Sequence, residues 1–493
     1  MPAPTPNPAT ALPAFARSRL SGRMLRGLAD NPAAPPEVLS RLTAAEDSIR
    51  FLLARRRDLP PQIAALFAAD DDVRLRRELA PNPCLSADVQ AVLAADADPQ
   101  VRAGVAKGAQ YFTTVGVHGR KIPPPLTREV YALLARDPEP EVRQALARNR
   151  HLPLDLRVAL LDDDDAHTAA IAAAQWHAPP LDYLDALLDR ITDAWERSLL
   201  LQFLDAPLPT HTAHALLAGI DDTPADESGR ALPLLEQISA VADLDADLTS
   251  RFLASPKLRA AVAANPTLPS VHVAALAHDP HNEVRAAVVA RRDLDPVLRE
   301  SIPVEYDDGS YEIVRWVADA DLPERDRLDI ARSRHQILRK SLTLRSDLSD
   351  EIIAILARDE SFAVRLFVCE RQPSAPGWLL AEIVGQWHSF SRWDMIAHAN
   401  FPADAAAALA RSADSTHREQ VADHAGLPVA AIEALLRDDD PGVRRRAAAN
   451  RALPADCLIV LLGADDATLV AGAAANPSLP VPVMGHILDA TGL

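Results

Sequence analysis

Ala264-Asn265-Pro266-Thr267-Leu268-Pro269 opens a phrase that continues through Val271, Leu276, Asp279-Pro280 and Glu283-Val284-Arg285-Ala286-Ala287-Val288. Variants of it recur along the 493 residues, so the chain is a repeat array. The phrase predicts two short helices separated by turns. Asn265-Pro266 reads as a helix stop, because Asn tolerates the left-handed conformation at a helix C-terminus and Pro cannot continue the ladder. Leu268-Pro269 reads as a helix start, with Pro at the first helical position, where its missing N–H costs nothing. Ser86, Thr127, Asp295 and Ser349 fill the same slot and are good N-cap residues. Val271, Ala275 and Leu276 form the apolar stripe of the first helix, and Val284, Ala287 and Val288 that of the second.

With Pro269 as the anchor, equivalents run from Pro35 through Pro60, Pro153, Pro179, Pro209 and Pro323 to Pro480. The last four, Pro402, Pro428, Pro454 and Pro480, are evenly spaced, and 480 minus 454 gives 26. Roughly 16–17 two-helix units of about 26 residues fit the chain, an all-α solenoid. Neither helix can bury its stripe alone, so neighbouring units must share a continuous core.

The Asn-Pro-x-Leu-Pro turn (Asn265 to Pro269, Asn476 to Pro480), the following Leu-Ala-x-Asp (Leu276 to Asp279, Leu356 to Asp359) and the Val-Arg pair resemble the leucine-rich repeat variant family, a cousin in form of HEAT-type helical repeats. The resemblance covers nearly the whole chain. It implies a right-handed α-solenoid with a longer and a shorter helix per unit. A founding relative carries a cysteine cluster for an iron–sulfur centre ahead of its repeats. This chain has no such cluster, and no cofactor is carried over.

Composition sets outer limits. The formal charge of −18 opposes non-specific binding to phosphate backbones. The three cysteines, Cys84, Cys369 and Cys457, lack metal-binding spacing and read as small buried residues in a reducing compartment. No apolar run approaches the ~20 residues of a membrane span. No basic-then-apolar signal segment opens the chain, so a cytoplasmic protein is expected. Arg greatly outnumbers Lys, as in GC-rich bacteria.

Along the chain, 1–12 reads as a disordered tail and 13–106 as an N-terminal cap followed by repeats. The cap is a helix over 11–28 whose basic face (Arg17, Arg19, Arg23, Arg26) closes the open end of the core. An inserted loop occupies 107–125, with Tyr111, Phe112, His118, Arg120 and Lys121 as candidate contacts and strand character at Thr113–Val117. Repeats resume over 126–165, degenerate over 166–254 and return over 255–493. A hairpin insertion is expected at Tyr306–Tyr311. The unit at 376–398 holds three of the six Trp residues, and Trp378, Trp387, Phe390 and Trp393 are its candidate anchors.

The Val-Arg position supplies a ladder of Arg74, Arg102, Arg143, Arg285, Arg315, Arg365 and Arg444. Acidic loops accompany these arginines almost one for one. Such pairing favours a structural role, with the planar fork bridging carboxylates or turn carbonyls. The Asp runs lack the alternating grammar of a calcium loop and read as helix caps. No catalytic motif and no metal-ligand spacing is present. These features point to a non-catalytic scaffold that holds a protein or peptide. The alternative is a nucleic-acid-binding HEAT-like protein, such as a DNA glycosylase, using the Arg ladder and aromatics; the net charge argues against it. A third class, an enzyme with an unfamiliar site on the inserted loop, would need His118 or a nearby carboxylate with a perturbed pKa. On the structural reading, Arg285→Ala lowers the melting temperature. Unchanged melting with loss of ligand binding would refute that reading.

Overall fold

A computed structural model describes residues 20–108, 126–149, 151–174, 184–190, 194–202, 204, 207–221, 231–307 and 312–493. Among these the chain is all-helical, apart from an isolated bridge between Leu208 and Ala242. The helices come in consecutive pairs, such as Ser270–Leu276 with Asn282–Val289 and Val429–Leu435 with Pro441–Ala448. Two compact units are present: Met1–Val130 with Pro373–Leu493, and Tyr131–Gln372. In each, both helices bury an apolar stripe, but the first-helix stripe is shifted: Val271 and Ala275 are exposed, and Val273 takes their place beside Leu276 on the buried face of a helix that starts at Ser270. Val273, Leu276, Val284 and Val288 are buried in one, and Ile432, Leu435, Val443 and Ala447 in the other.

The anchor residue sits one position earlier than expected. Pro269 is the N-cap itself, extended at φ −57° and ψ 139°, and the helix begins at Ser270. Pro60, Pro428 and Pro480 do the same. The carbonyl of such a Pro accepts the first helical bonds, as Pro269 does from His272 and Val273. Asp295 caps with its side chain, through the Leu298 N–H at 2.9 Å, whereas Ser86 and Ser349 make no side-chain cap bond. Asp245 and Pro376 occupy two further anchor positions.

The larger correction concerns Asn265. It is not left-handed; its φ is −66° and its ψ 123°. It is fully buried, and its side chain does two jobs. Oδ1 accepts the Thr267 N–H at 2.8 Å, which fixes its own turn. Nδ2 donates to two carbonyls of the preceding unit, Ser239 at 2.9 Å and Ala242 at 2.8 Å. Asn82, Asn450 and Asn476 repeat the arrangement. Asn476 donates to Ala448 and Asn450, and Asn450 to Ala422 and His424. Each receiving pair lies at the C-terminal end of the preceding unit's second helix, where carbonyls have no partner within the helix. The Asn is therefore a staple between units.

Where Asn is missing, another donor reaches the same carbonyls. Arg56 donates to Ala29 and Asn31, Arg291 to Ala263 and Asn265, and Gln372 to Thr343 and Arg345. Each of the three arginines at this position, Arg56, Arg291 and Arg345, also pairs with an Asp two residues on: Asp58, Asp293 and Asp347. In the unit after Arg291 the position falls on Asp319, and the carbonyls of Val289 and Arg291 are met by Arg299 from within their own unit. Arg157 serves Ala147 and Asn149 in the same way, and burial lowers its pKa to about 10.

The N-terminal helix spans Ser21–Asp30 and does not close an open end. It packs on Ala467–Ala475, and Asn31 donates to Ala474 and Asn476 at 3.0 and 2.7 Å. Like Asn82, Asn450 and Asn476, Asn31 reaches two carbonyls two residues apart. The first unit of the chain therefore stacks on the last as though it were the next repeat. Of the basic face expected there, Arg23 and Arg26 are exposed, and Arg17 and Arg19 lie outside the described residues.

The staple predicts a measurable cost. Asn450→Ala orphans two buried carbonyls and should lower stability by about 2 kcal/mol, read by denaturant unfolding. Loss of hydrogen-exchange protection should concentrate at Ala422–His424 and Asn450–Ala452. A variant as stable as the parent would show that the amide is not a staple.

Candidate interaction surfaces

Five of the seven ladder arginines hold the turns between helices. Arg143 donates through Nη1 to the carbonyls of Asp137 (2.7 Å) and Pro138 (3.2 Å), and through Nε and Nη2 to both carboxylate oxygens of Asp163, at 2.7 Å each. Arg444 repeats this with Asp438, Asp439 and Asp466. Arg102 and Arg365 hold the turn carbonyls of Asp96 and Ala97 and of Asp359 and Glu360. Arg285 holds Asp279, Pro280 and, in the next unit, Pro303. Arg315 opens a short helix and is exposed.

Arg74 is not part of this row. It is exposed and pairs with Asp47 and Asp72. Arg76 takes the ladder position, on the Asp70 carbonyl and the Asp96 carboxylate at 2.6 Å each. The position is four residues after the N-cap, whichever residue precedes it. Arg339 and Arg418, which lack the Val, hold it too, paired at 2.6 Å with Asp359 and Asp438. The Arg418 bond holds the Asp438 carboxyl below its usual range.

The Asp runs act as caps. Asp98 accepts the N–H of Gln100 and Val101 and is clasped by Arg77, at 3.0 and 2.6 Å. The Arg77 bond, with the cap, lowers its carboxyl to about 2. Among the described residues, no three His, Cys, Asp or Glu side chains are grouped to hold a metal ion. Cys369 is buried, Cys457 half-buried and Cys84 exposed, the last unlike the expectation for a core residue.

In the aromatic unit the rings divide. Trp387 is half-buried and donates through Nε1 to Ser391 Oγ at 2.8 Å. Trp393 is half-buried beneath the Arg446 guanidinium, 4.4 Å from its centroid. Trp378 and Phe390 face solvent, 46% and 74% exposed. Arg392, in the same aromatic unit, is buried and donates to the Val384 carbonyl and Gln420 Oε1. The candidate contacts Tyr111, Phe112, His118, Arg120 and Lys121 lie outside the described residues, as do 308–311 of the expected hairpin.

Before those hairpin residues, the insertion builds a cleft of about 250 Å³ that sequence reading missed. It is lined by Glu283, Glu305, Tyr306, Asp307, Glu312 and Lys340. Asn282 fixes its wall by a reciprocal pair with the Glu305 backbone, at 2.7 and 2.8 Å. Tyr306 donates its hydroxyl to His335 Nδ1 at 2.8 Å, and His335 Nε2 donates to the Arg299 carbonyl at 2.7 Å. Burial lowers the His335 pKa and raises that of Tyr306, so both are neutral in this chain of bonds. Four carboxylates and one lysine line the cleft. The only sequence signal for it was the break in the repeat at Tyr306.

Exposed apolar side chains recur at fixed offsets on the first helices. Leu66, Val92, Leu133 and Val460 lie six residues after their anchors, and Leu154, Val271, Val297, Trp378, Val429 and Val481 one or two after theirs. No described helix is long and apolar enough to cross a membrane.

No family model matches the chain, and no curated relative matches it. Among solved structures it is similar to the karyopherin Kap121p, crystallised with the SUMO protease Ulp1p, at 13% identity and a TM-score of 0.25. That likeness covers 94% of this chain but only 54% of the karyopherin, so the chain spans about half of its length. An engineered protein is similar at 15% identity and a TM-score of 0.15, over 89% of this chain and 97% of its own. What the architecture itself defines is a helical-repeat protein.

The Asp98 cap carries a pH dependence with a definite sign. Its folded pKa of about 2 lies below the ~3.9 of an unfolded Asp, so the folded state binds the proton less readily. The stabilisation is therefore complete above about pH 4 and is lost as pH falls through about 2. The fall in melting temperature between pH 5 and pH 2.5 should be smaller in Asp98→Asn than in the parent. Equal falls would remove Asp98 from the acid response.

Proposed function

We propose that this chain is a non-catalytic scaffold, of the leucine-rich repeat variant kind, that holds a protein or peptide on its repeat surface. The observation that carries the reading is the recurrence of exposed apolar side chains at equivalent first-helix positions, with Trp378 and Phe390 among the exposed rings. Core packing does not require them there, and rows of this kind are what interfaces use. Arg102, Arg143, Arg285, Arg365 and Arg444, which a phosphate-binding surface would need free, are engaged with turn carbonyls, and Arg143 and Arg444 also with carboxylates. The acidic cleft at Tyr306 adds, within Tyr131–Gln372, a site that prefers basic side chains. Three cysteines without metal-binding spacing suit a reducing, cytoplasmic setting.

The test is a comparative pull-down from nuclease-treated native lysate, read by mass spectrometry, against Trp378→Ser/Phe390→Ser and against a variant with 110–121 replaced by a short Gly-Ser link. One defined protein retained by the parent, lost at least tenfold from either variant at unchanged melting temperature, is the expected result. A salt-sensitive nucleic acid as the only bound species, or a small-molecule product formed by the parent, would replace the scaffold reading.

A further inference from the structure

Among the described residues of Met1–Val130 with Pro373–Leu493, the joint between the first and last repeats is a seam that chain continuity does not enforce at short range. It is nonetheless as fully made as its neighbours. Asn31 is completely buried and stapled to Ala474 and Asn476. Gly27 lies four residues before its staple residue, as Gly472 does before Asn476. A Cβ at Gly27 would stand 2.5 Å from the Ala471 carbonyl oxygen and 2.6 Å from the Ala474 Cβ, so only glycine fits. Charges match across the seam. Arg445 meets Asp30 at 3.2 Å, and Arg41 meets Asp489 at 2.5 Å and also the Leu493 carbonyl. Burial raises the Asp30 pKa, with Arg445 opposing.

We propose that these two faces form a self-association surface masked within one chain, and that the partner each fits when the joint opens is the complementary face of a second copy. The N-terminal face is Gly27, Asn31 and Arg41. The C-terminal face is Ala471, Ala474 and Asp489. Nothing in this pairing depends on the two faces belonging to one molecule. In the closed chain the faces are held at high effective concentration, so the internal joint outcompetes the external one. A heterologous, head-to-tail contact of this kind propagates when opened, because each added copy brings one unused face of each type.

The test separates the faces. Gly27→Leu/Asn31→Ala destroys the N-terminal face and leaves the C-terminal one intact; Ala474→Trp does the converse. Neither variant can close or pair with itself. The parent and each variant alone should sediment as monomers at about 20 µM, and an equal mixture of the two variants should form a one-to-one heterodimer. A mixture still monomeric at about 200 µM would overturn the proposal, as would a homodimer of either variant alone. If circular dichroism shows that either variant is unfolded, the milder pair Gly27→Ala/Arg41→Asp and Ala474→Val/Asp489→Arg asks the same question. In that mixture the one intact Arg41 meets the one intact Asp489, and heterodimer or monomer decides in the same way.

Discussion

A buried side-chain amide reaching two carbonyls of the neighbouring unit is the constraint on which the stack depends. Second helices end with carbonyls that their own helix cannot satisfy. Inside a stack, water cannot reach them, and an orphaned buried carbonyl costs free energy. The donor must then come from elsewhere in the protein. Asn450 and Asn476 supply it from the next repeat, Arg56 and Gln372 substitute with longer arms, and Arg157 and Arg299 bend back from within the same unit. Apolar stripes hold the units together, but they are tolerant of sliding. The staple is what fixes the register.

The sequence shows the period and both helices, because each is a local pattern, but it sets the first stripe on Val271 and Ala275 where Val273 is the buried residue. It does not distinguish two uses of Asn before Pro. A left-handed terminus and a side chain donating across 26 residues leave the same letters in one dimension. The ladder was nearly legible. A Val-Arg rule mistakes Arg74 for Arg76 because Val73 comes directly after the Asp72 cap, while Leu75 takes the apolar place before the ladder position. Asp245 and Pro376 were missed as anchors, since a drifting step and an aromatic-rich unit hid them. The terminal seam joins positions more than 440 residues apart. Its signs were present, in Asn31-Pro32 as a full staple phrase and Gly27 at the offset of Gly472, but nothing local says which face receives them.

The candidate surfaces follow from what the framework leaves over. Carboxylates and guanidiniums are consumed in pairs along the turns, so most of the strong charge of this acidic chain is internally matched. Trp387 and Trp393 are likewise tied, one to Ser391 and the other to Arg446. Among the groups left over are Trp378, Phe390, a scatter of Val and Leu on the first helices, and the carboxylates around Tyr306. None of these positions is needed to close a helix or a turn, which frees them to differ from unit to unit.

The two forms of the staple have an evolutionary consequence. In the amide form, the Asn450 Oδ1 accepts the N–H of Ala452. In the arginine form, the residue two places on is an Asp that neutralises the guanidinium, as Asp293 does for Arg291. Converting one to the other takes two changes, and either alone is unfavourable. An Arg without its Asp buries an uncompensated cation, and an Asp without its Arg sets a carboxylate beside an acceptor oxygen. The substitutions are strongly non-additive, with each form an isolated peak and the single mutants in the valley between. A lineage of such repeats should therefore diverge by inheriting whole turns of one form or the other, by duplication, more readily than by editing them residue by residue.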